Sequence, residues 1–307
     1  MRILVAGSTG LVGSAIVRAL EKTSHEVIPV STNVVDLLDR PATFAFLHQT
    51  KPNAVIDAAA RVGGIGANSS QPVEFLSRNI QIQTNLMDAS HEANVEKFVF
   101  LGSSCIYPRE APQPIKEEYL LTGPLEQTNS AYALAKIAGI ELIRSYRREY
   151  GRRWISLMPT NLYGPGDNFD LETSHVLPAL IRRFVDAAAK KLASVTLWGT
   201  GSPRREFLYV DDLADAVLVS LDRYDDDRIL NIGSGVDLTI KELAEKIAKI
   251  AGFTGEILWD SSKPDGTPRK LLDVSRLKEI SWSPKVSLDE GILRTIEWYK
   301  TRRGEDI

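Results

Sequence analysis

The sequence predicts an α/β protein built on a doubly wound parallel sheet, followed by a smaller C-terminal unit. Three observations support this prediction. Short apolar runs alternate with helical patterns through the first half of the chain. These runs are rich in Val, Ile, Leu and Phe without strict alternation, as is typical of strands covered on both faces. A glycine-rich segment, 7–13, joins the first run directly to the first helical pattern.

The predicted elements follow one another at short intervals. The strands of the first half are 2–6, 26–30, 54–57, 97–101 and 154–158. The helices between and after them are 11–22, 41–49, 72–93 and 130–150. Pro41 and Pro72 suit the first turn of a helix, where the missing backbone N–H would have no partner.

The second half is less regular. Residues 159–173 are rich in Gly, Pro, Asn and Asp, which predicts a long functional loop. The later helices are predicted at 175–191, 211–223, 239–251 and 287–301, with a late strand at 229–232. We therefore predict a cofactor-binding domain over 1–165, to which the late strand returns, and a mainly substrate-binding domain over 166–307.

Composition excludes several classes of function. A net charge of −3, with scattered Lys and Arg, gives no basic surface for nucleic acid. No apolar stretch approaches the roughly 20 residues of a membrane span, so no membrane partner is expected. One cysteine excludes an internal disulfide framework and fits the reducing cytoplasm. No histidines and carboxylates show metal-ligand spacing, so we predict no metal.

The first loop predicts a dinucleotide site. It consists, in order, of Gly7, Ser8, Thr9, Gly10, Leu11, Val12 and Gly13. Glycines there allow a tight turn and a close approach to a pyrophosphate, and the following helix offers free N–H groups to the anion. The alternative is a simple strand–helix turn. Position between the first strand and the first helix favours a Rossmann-type nucleotide-binding loop.

The residues after the second predicted strand indicate which cofactor binds. A carboxylate about 20 positions after the glycines would hold the ribose diol of NAD. The chain instead has Ser31, Thr32 and Asn33 after Val30, and none of these would repel a 2′-phosphate. NADP(H) is therefore the expected cofactor.

Tyr132 and Lys136 stand four residues apart, on one face of the helix predicted at 130–150. An ammonium beside a phenol favours the phenolate, so we expect the pKa of Tyr132 to be lowered. The tyrosine could then exchange a proton with a carbonyl during hydride transfer. Ser103 follows the strand 97–101, at the edge where open sheets bind ligands. An accidental helix pair is the alternative, but loop, serine and Y-x-x-x-K in this order predict a catalytic triad.

Longer motifs make the sequence resemble the GDP-L-fucose synthase family, within the extended short-chain dehydrogenases/reductases. They are the segments ARVGGI at 60–65, GSSCIYP at 102–108, MPTNLYGP at 158–165 and KPDGTPRK at 263–270. The resemblance runs from the first strand to the last helix. It implies an enzyme that epimerises C3 and C5 of GDP-4-keto-6-deoxy-D-mannose and reduces the C4 ketone with NADPH.

The resemblance also implies roles for individual residues. Ser103, Tyr132 and Lys136 would form the reductase triad, and Cys105 and His175 the base and acid of epimerisation. Further cofactor contacts would be Leu101, Gly102, Pro159, Asn161, Leu162 and His175. The GDP-sugar would be held by Arg183, Trp198, Arg205, Asp265 and Lys270. A homodimer would form through the helices at 72–93 and 130–150.

One departure and four open alternatives bear on these roles. Family members typically hold the 2′-phosphate with arginines, where this chain has Ser8-Thr9 and Ser31-Thr32. Cys105 could instead be a small buried hydrophobe, and Trp198 could fill the core. His175 could be a surface residue at a helix start, and Arg205 could form a solvated surface pair with Arg204.

The chemistry makes independent sense of the proposed base and acid. Hydrogens beside a C4 ketone leave as protons to give an enolate, which hydrogen-bond donors stabilise. Cysteine and histidine both titrate near neutrality and suit the two opposite faces of the ring.

Two other functions remain open at this level. One is another nucleotide-sugar 4-reductase, 4-epimerase or 4,6-dehydratase on the same scaffold. The epimerase and dehydratase recycle their cofactor, so stoichiometric NADPH consumption separates them from a reductase. The other is a non-catalytic NAD(P)-sensing Rossmann protein, which would have no need of Tyr132 and Lys136.

Overall fold

The computed structural model describes residues 1–171, 173–263 and 265–304. Glu172 of the predicted loop and Pro264 of the 263–270 motif lie outside them. The strands are β1 (Arg2–Ala6), β2 (Glu26–Val30), β3 (Ala54–Asp57), β4 (Lys97–Leu101), β5 (Ile155–Pro159), β6 (Asn161–Tyr163), β7 (Ser194–Trp198), β8 (Arg204–Tyr209), β9 (Leu230–Ile232), β10 (Asp237–Thr239), β11 (Glu256–Asp260) and β12 (Arg269–Lys270). The α-helices are α1 (Leu11–Leu20), α2 (Arg40–Thr50), α3 (Ile65–Ser70), α4 (Asn79–Glu92), α5 (Ser130–Tyr150), α6 (Val176–Ala189), α7 (Val210–Arg223), α8 (Ile240–Ala251), α9 (Ser275–Glu279) and α10 (Leu288–Arg302).

Six parallel strands form the central sheet, in the order β2-β1-β3-β4-β5-β9. Helices α1 and α7 cover one face, where Ile16 and Leu213 join the core. Helices α2, α4 and α5 cover the other, with Leu47, Leu86 and Ile140 in contact with the strands. This confirms the doubly wound α/β fold. The late strand that the sequence predicts is β9, which pairs with β5 at the sheet edge.

The C-terminal part has its own core between helices and short strands. Helices α6, α8 and α10 pack together through side chains such as Phe184, Ile247 and Ile292. Strand β8 lies between β10 and β12 and also pairs with β6. Strands β7 and β11 form a separate parallel pair. These elements bring segments far apart in sequence beside the carboxyl edge of the central sheet.

The structure corrects one of the predicted elements and refines another. The predicted loop 159–173 contains β6, which pairs in parallel with β8. The predicted helix 72–93 is helical without a break over 72–92, with a π-helical turn at Glu74–Arg78 ahead of α4. A strand of three residues carries no measurable period, so sequence periodicity could not reveal β6.

Glycines set the approach of α1 to β1. Gly7 has a φ of 76°, and a Cβ there would lie 2.7 Å from the carbonyl oxygen of Ala58. A Cβ on Gly13 would overlap the carbonyl of Gly7, so the helix can sit this close only without a side chain. Gly10 differs, because the nearest atom to its Cβ would be 3.5 Å away. It precedes α1 without any side-chain cap, which leaves the first N–H groups of the helix for a ligand.

Two alanine substitutions should separate packing from binding in this loop. Gly13→Ala should lower the free energy of unfolding by about 1–3 kcal/mol, because backbone must move to admit the methyl group. Gly10→Ala should leave the unfolding midpoint close to the parent and weaken NADPH binding, because the methyl group enters the ligand's space. Thermal unfolding and a fluorescence titration with NADPH measure the two effects. Equal melting temperatures for both variants would contradict this account.

Candidate active site

The carboxyl end of β4 and the first turns of α5 bring the predicted triad to one edge of the sheet. Ser103 leaves β4 and caps a short turn, its Oγ accepting a hydrogen bond of 3.2 Å from the N–H of Cys105. Tyr132 of α5 lies close enough for the serine hydroxyl to lower the pKa of the phenol. The serine and the tyrosine are therefore placed to bind one oxygen atom between them.

Lys136 is buried one helical turn beyond Tyr132. Its Nζ donates a hydrogen bond of 2.8 Å to the carbonyl of Leu101 and lies 4.7 Å from the ring centroid of Phe100. Burial lowers the pKa of Lys136 to about 8, against the charge of Asp57, which raises it. The lysine thus remains mostly protonated at neutral pH.

The expected lowering of the pKa of Tyr132 is wrong in this structure. Burial raises its pKa, the charges of Cys105 and Asp57 raise it further, and the neighbouring hydroxyl of Ser103 lowers it. The ammonium of Lys136 stands 5.9 Å from the centre of the tyrosine ring and is bonded to a backbone carbonyl. Desolvation of the phenolate therefore outweighs any help from the cation.

Lys270 places a cation beside the only cysteine. Its Nζ lies 3.7 Å from the Sγ of Cys105. Lys270 reaches this point because β12 pairs in parallel with β8, in a register that sets Lys270 beside Arg205. Cys105 and Lys270 line a small cavity of about 30 Å³, together with Glu126 and Thr267. Cys105 is only partly buried and faces this cavity, so it is not a core side chain.

His175 stands immediately before α6 and is open to solvent on one side. Desolvation by the surrounding protein lowers the pKa of its imidazole, and the positive charge of Lys270 lowers it further. Lys270 therefore acts on both residues of the predicted base–acid pair. The sequence alone gave no sign that one lysine would connect them.

Two of the predicted substrate residues belong to the same cluster as Lys270. Burial lowers the pKa of Arg205, and the charges of Asp265, Cys105 and Glu126 oppose that effect. The carboxylate of Asp265 accepts hydrogen bonds from the N–H and hydroxyl of Thr200, at 2.7 and 2.8 Å. Asp265 is thus held in a fixed orientation, with its charge acting on Arg205.

The other two lie on different elements. Trp198 ends β7 and is 68% exposed, so it does not fill the core. Its ring faces the ammonium of Lys263 at 5.7 Å. Arg183 on α6 donates to the carbonyl of Thr196 at 3.5 Å. The described contacts do not join Arg183 or Trp198 to Cys105.

The remaining predicted cofactor residues surround the glycine loop and the ends of β4 and β5. Gly102 follows β4 and donates its N–H to Leu157 at 2.8 Å. Pro159 ends β5, while Asn161 and Leu162 lie in β6. The amide of Asn161 donates to the carbonyl of Glu206 at 2.8 Å, which holds β6 against β8. Together with the uncapped start of α1, these segments form a cradle of backbone groups suited to a dinucleotide.

Two buried carboxylates near the site escaped the sequence analysis. Asp57 ends β3 and is completely buried. Glu206 is also completely buried and accepts from the N–H groups of Gly235 at 2.7 Å and Leu272 at 3.0 Å. For Asp57 the sequence did contain a signal, because an aspartate ends an otherwise apolar predicted strand. Nothing in the sequence distinguishes Glu206 from an exposed residue.

None of the helices in residues 1–171, 173–263 and 265–304 is long and apolar enough to cross a membrane. The same residues contain no group of three or more His, Cys, Asp or Glu side chains suited to a metal ion.

Three known proteins that are similar to this chain are all named for GDP-linked sugars. A rice protein (Oryza sativa subsp. japonica) described as probable GDP-L-fucose synthase 1 is 55% identical, over 97% of this chain and 92% of its own. A GDP-6-OMe-4-keto-L-xylo-heptose reductase from C. jejuni superposes with a TM-score of 0.91 and 35% identity, over 98% of both chains. A GDP-L-fucose synthetase from Naegleria fowleri, solved with NADP, gives 0.91 and 28%, over 99% and 95%.

A family model covers most of the chain as well. The model of the NAD-dependent epimerase/dehydratase family matches residues 3–233, which include the glycine loop, Ser103 and the Tyr132–Lys136 pair. The chain belongs to the NAD-dependent epimerase/dehydratase family.

Proposed function

We propose that this protein is a GDP-L-fucose synthase, which epimerises C3 and C5 of GDP-4-keto-6-deoxy-D-mannose and then reduces the C4 ketone. The observation that carries the proposal is the meeting of two residue sets at one cleft. Ser103 lies close enough to Tyr132 to lower the pKa of its phenol, and Cys105, two residues beyond Ser103, has the Lys270 ammonium 3.7 Å from its sulfur. A reductase without epimerase activity would need only the first pair.

NADP(H) is the cofactor that the loop chemistry favours, because no carboxylate follows β2 to repel a 2′-phosphate. When bound, NADPH supplies the hydride for C4. The residues that would hold it are Gly7, Ser8, Thr9, Gly10, Leu11, Val12, Gly13, Leu101, Gly102, Lys136, Pro159, Asn161, Leu162 and His175. Lys136, charged and buried, would bind a ribose hydroxyl at the end nearest Tyr132.

Reduction needs a proton at the C4 oxygen, and Tyr132 is suited to deliver it. Its raised pKa keeps the phenol protonated at neutral pH, so the acid is ready before the hydride arrives. Ser103 donates a second hydrogen bond to the same oxygen. The same two donors stabilise the enolate that forms when a neighbouring proton is removed.

Epimerisation needs a base on one face of the ring and an acid on the other. Cys105 would take the protons from C3 and C5, with the Lys270 ammonium beside its sulfur. His175 would return them, since a lowered pKa makes its imidazolium, once formed, a readier proton donor. Arg205 would bind the diphosphate, and the remaining substrate contacts would be Arg183, Trp198, Asp265 and Lys270.

The organisation of the protein follows from the same proposal. We propose that residues 1–165 with β9 bind the cofactor, and that residues 166–307 mainly bind the sugar nucleotide. We also propose that the enzyme works in the cytoplasm, where a free thiol such as Cys105 stays reduced.

We propose a homodimer in which α4 and α5 of each subunit form a four-helix interface. Val73, just before the π-helical turn, is 72% exposed, Ile80 on α4 is 36% exposed and Leu134 on α5 is 48% exposed. Because α4 packs against α5, these side chains can contribute to one apolar surface.

The decisive experiment is to incubate the protein with GDP-4-keto-6-deoxy-mannose and NADPH and to identify the product. GDP-fucose with one NADPH consumed per product supports the proposal. An unepimerised 6-deoxy sugar would indicate a 4-reductase, the activity named for the C. jejuni structure. Turnover without net NADPH loss would indicate an epimerase or dehydratase. Cofactor binding without any turnover would indicate a sensor.

Tyr132→Phe should lower the rate of NADPH oxidation by about 10²–10⁴-fold, because only the phenolic proton donor is removed. The melting temperature should stay close to that of the parent. Tyr150→Phe, at the exposed end of the same helix, is the matched control and should keep the parent rate. Near-normal oxidation by the Tyr132 variant would exclude the phenol from the reaction.

Cys105→Ser should abolish exchange of the C3 and C5 hydrogens with deuterated water, because an alcohol ionises far less readily than a thiol. Reduction by Ser103, Tyr132 and Lys136 should continue and divert product to an unepimerised 6-deoxy sugar. His175→Asn should differ, allowing deuterium to enter without inversion. GDP-fucose formation at the parent rate by the serine variant would show that the thiol has only a packing role.

Leu134→Glu should convert the dimer to a monomer of 34.0 kDa, because a buried carboxylate would face its symmetry mate in the interface. Leu293→Glu on α10 is the control, since that leucine is equally accessible, at 45%, but lies outside α4 and α5. Light scattering after size-exclusion chromatography measures both masses. A parent protein that already runs as a monomer would rule out the interface.

A further inference from the structure

Asp57 is a fully buried carboxylate to which none of the steps above assigns a role. It closes β3, and its Oδ1 accepts a hydrogen bond of 3.1 Å from the N–H of Ala59. Its Oδ2 has no hydrogen-bond partner in the part of the chain that the structure describes. A carboxylate used only to hold a turn would be expected to satisfy both oxygens, because an unpaired buried polar atom is unfavourable.

The sheet register sets Asp57 at the level of the Lys136 ammonium. Asp57 and Phe100 are paired Cα partners in adjacent parallel strands. The ammonium of Lys136 lies 4.7 Å from the centre of the Phe100 ring and is bonded to the next residue, Leu101. One strand therefore carries the carboxylate while its neighbour anchors the lysine, in a region closed to water.

We infer that Asp57 is a positioning residue that keeps Lys136 protonated at the cofactor site. The inference deepens the proposed function and rests on its cofactor site. Burial favours the neutral amine of Lys136 over its ammonium. A neighbouring carboxylate opposes this effect, because its negative charge stabilises the ammonium. Because Asp57 is fully buried, it acts through the lysine rather than on a bound ligand.

The charges around Asp57 agree with this role. Burial raises the pKa of Asp57 to about 6, while Lys136 and the Ala59 N–H lower it. Burial lowers the pKa of Lys136 to about 8, and Asp57 raises it. Tyr132 is the other titratable group on which Asp57 acts, and its pKa is raised. Between about pH 6 and 8 both members of the pair are therefore charged.

The sign of the stability effect distinguishes this role from a structural one. The folded pKa of Asp57 lies above its ordinary value of 3.8, so folding favours the neutral acid and stability is lost as pH rises to about 6. Asp57→Asn keeps the acceptor for the Ala59 N–H and stays neutral at every pH. Its melting temperature at pH 7 should therefore equal or exceed that of the parent, with the difference disappearing toward pH 4.

The same variant should impair cofactor binding in a pH-dependent way. For the parent, NADPH affinity measured by fluorescence should fall as pH rises through about 8, when Lys136 loses its proton. For Asp57→Asn the half-loss point should move at least about one pH unit lower, since an adjacent opposite charge typically shifts a pKa by 1–3 units. Asp212→Asn is the matched control: Asp212 is buried, accepts from the Val286 N–H at 2.9 Å, and lies on α7. It should leave the NADPH profile unchanged.

A second background keeps the test decisive. In Lys136→Arg the guanidinium stays charged at all these pH values, so adding Asp57→Asn should no longer move the NADPH profile. The inference is overturned if Asp57→Asn retains the parent profile. Neither the NADPH titration nor the melting measurement uses a sugar nucleotide. A protein that binds NADPH but turns over no GDP-sugar would therefore refute the proposed activity and leave these results to be judged separately.

Discussion

The hydrogen bond from Lys136 to the carbonyl of Leu101 is the interaction on which the site depends. It fixes α5 against the end of β4, and so brings the phenol of Tyr132 to Ser103. A neutral side chain could make the same contact, but it would give the cofactor site no charge. The chain instead buries an ammonium and sets the carboxylate of Asp57 one strand away. Burying these charged groups costs some folding stability, but it fixes a positive charge at a position away from solvent.

Glu206 fixes the part of the site around Lys270, as Lys136 fixes the part around Tyr132 and Ser103. Its buried carboxylate binds the N–H groups of Gly235 and Leu272, two segments that approach β8 from different parts of the chain. Leu272 follows β12 by two residues, so the contact also fixes Lys270 beside Arg205. The Glu206 carboxylate thus anchors the segment that carries the Lys270 ammonium to the Cys105 thiol.

The sequence predicted the central sheet and the later helices well but missed the short strands of the C-terminal part, for a physical reason. Strands β1, β3 and β4 are buried on both faces, so each is a largely apolar run whose ends are clear. Strands β6, β10 and β12 have two or three residues each and exist because β8 provides hydrogen-bond partners. Tertiary contacts of this kind leave no local pattern.

The candidate site divides in the same way. Motif residues such as Ser103 and Lys136 could be named from their order and spacing. The charges that act on these residues could not be predicted from the sequence. The pKa of Tyr132 is raised because burial prevails over the nearby lysine, and burial is a property of the folded chain. Asp57 and Lys270 owe their positions in the site to strand register. For Lys270, the register brings its ammonium beside Cys105, which is 165 positions away in the sequence.

That separation between Cys105 and Lys270 has a consequence during synthesis. Ribosomes add about 5–20 residues per second, so the cysteine is made on the order of ten seconds or more before the lysine. Helix α7 and strand β9, which cover and complete the central sheet, are made within that interval. The thiol can therefore acquire its neighbouring cation only after the residues of the whole central sheet have been synthesised.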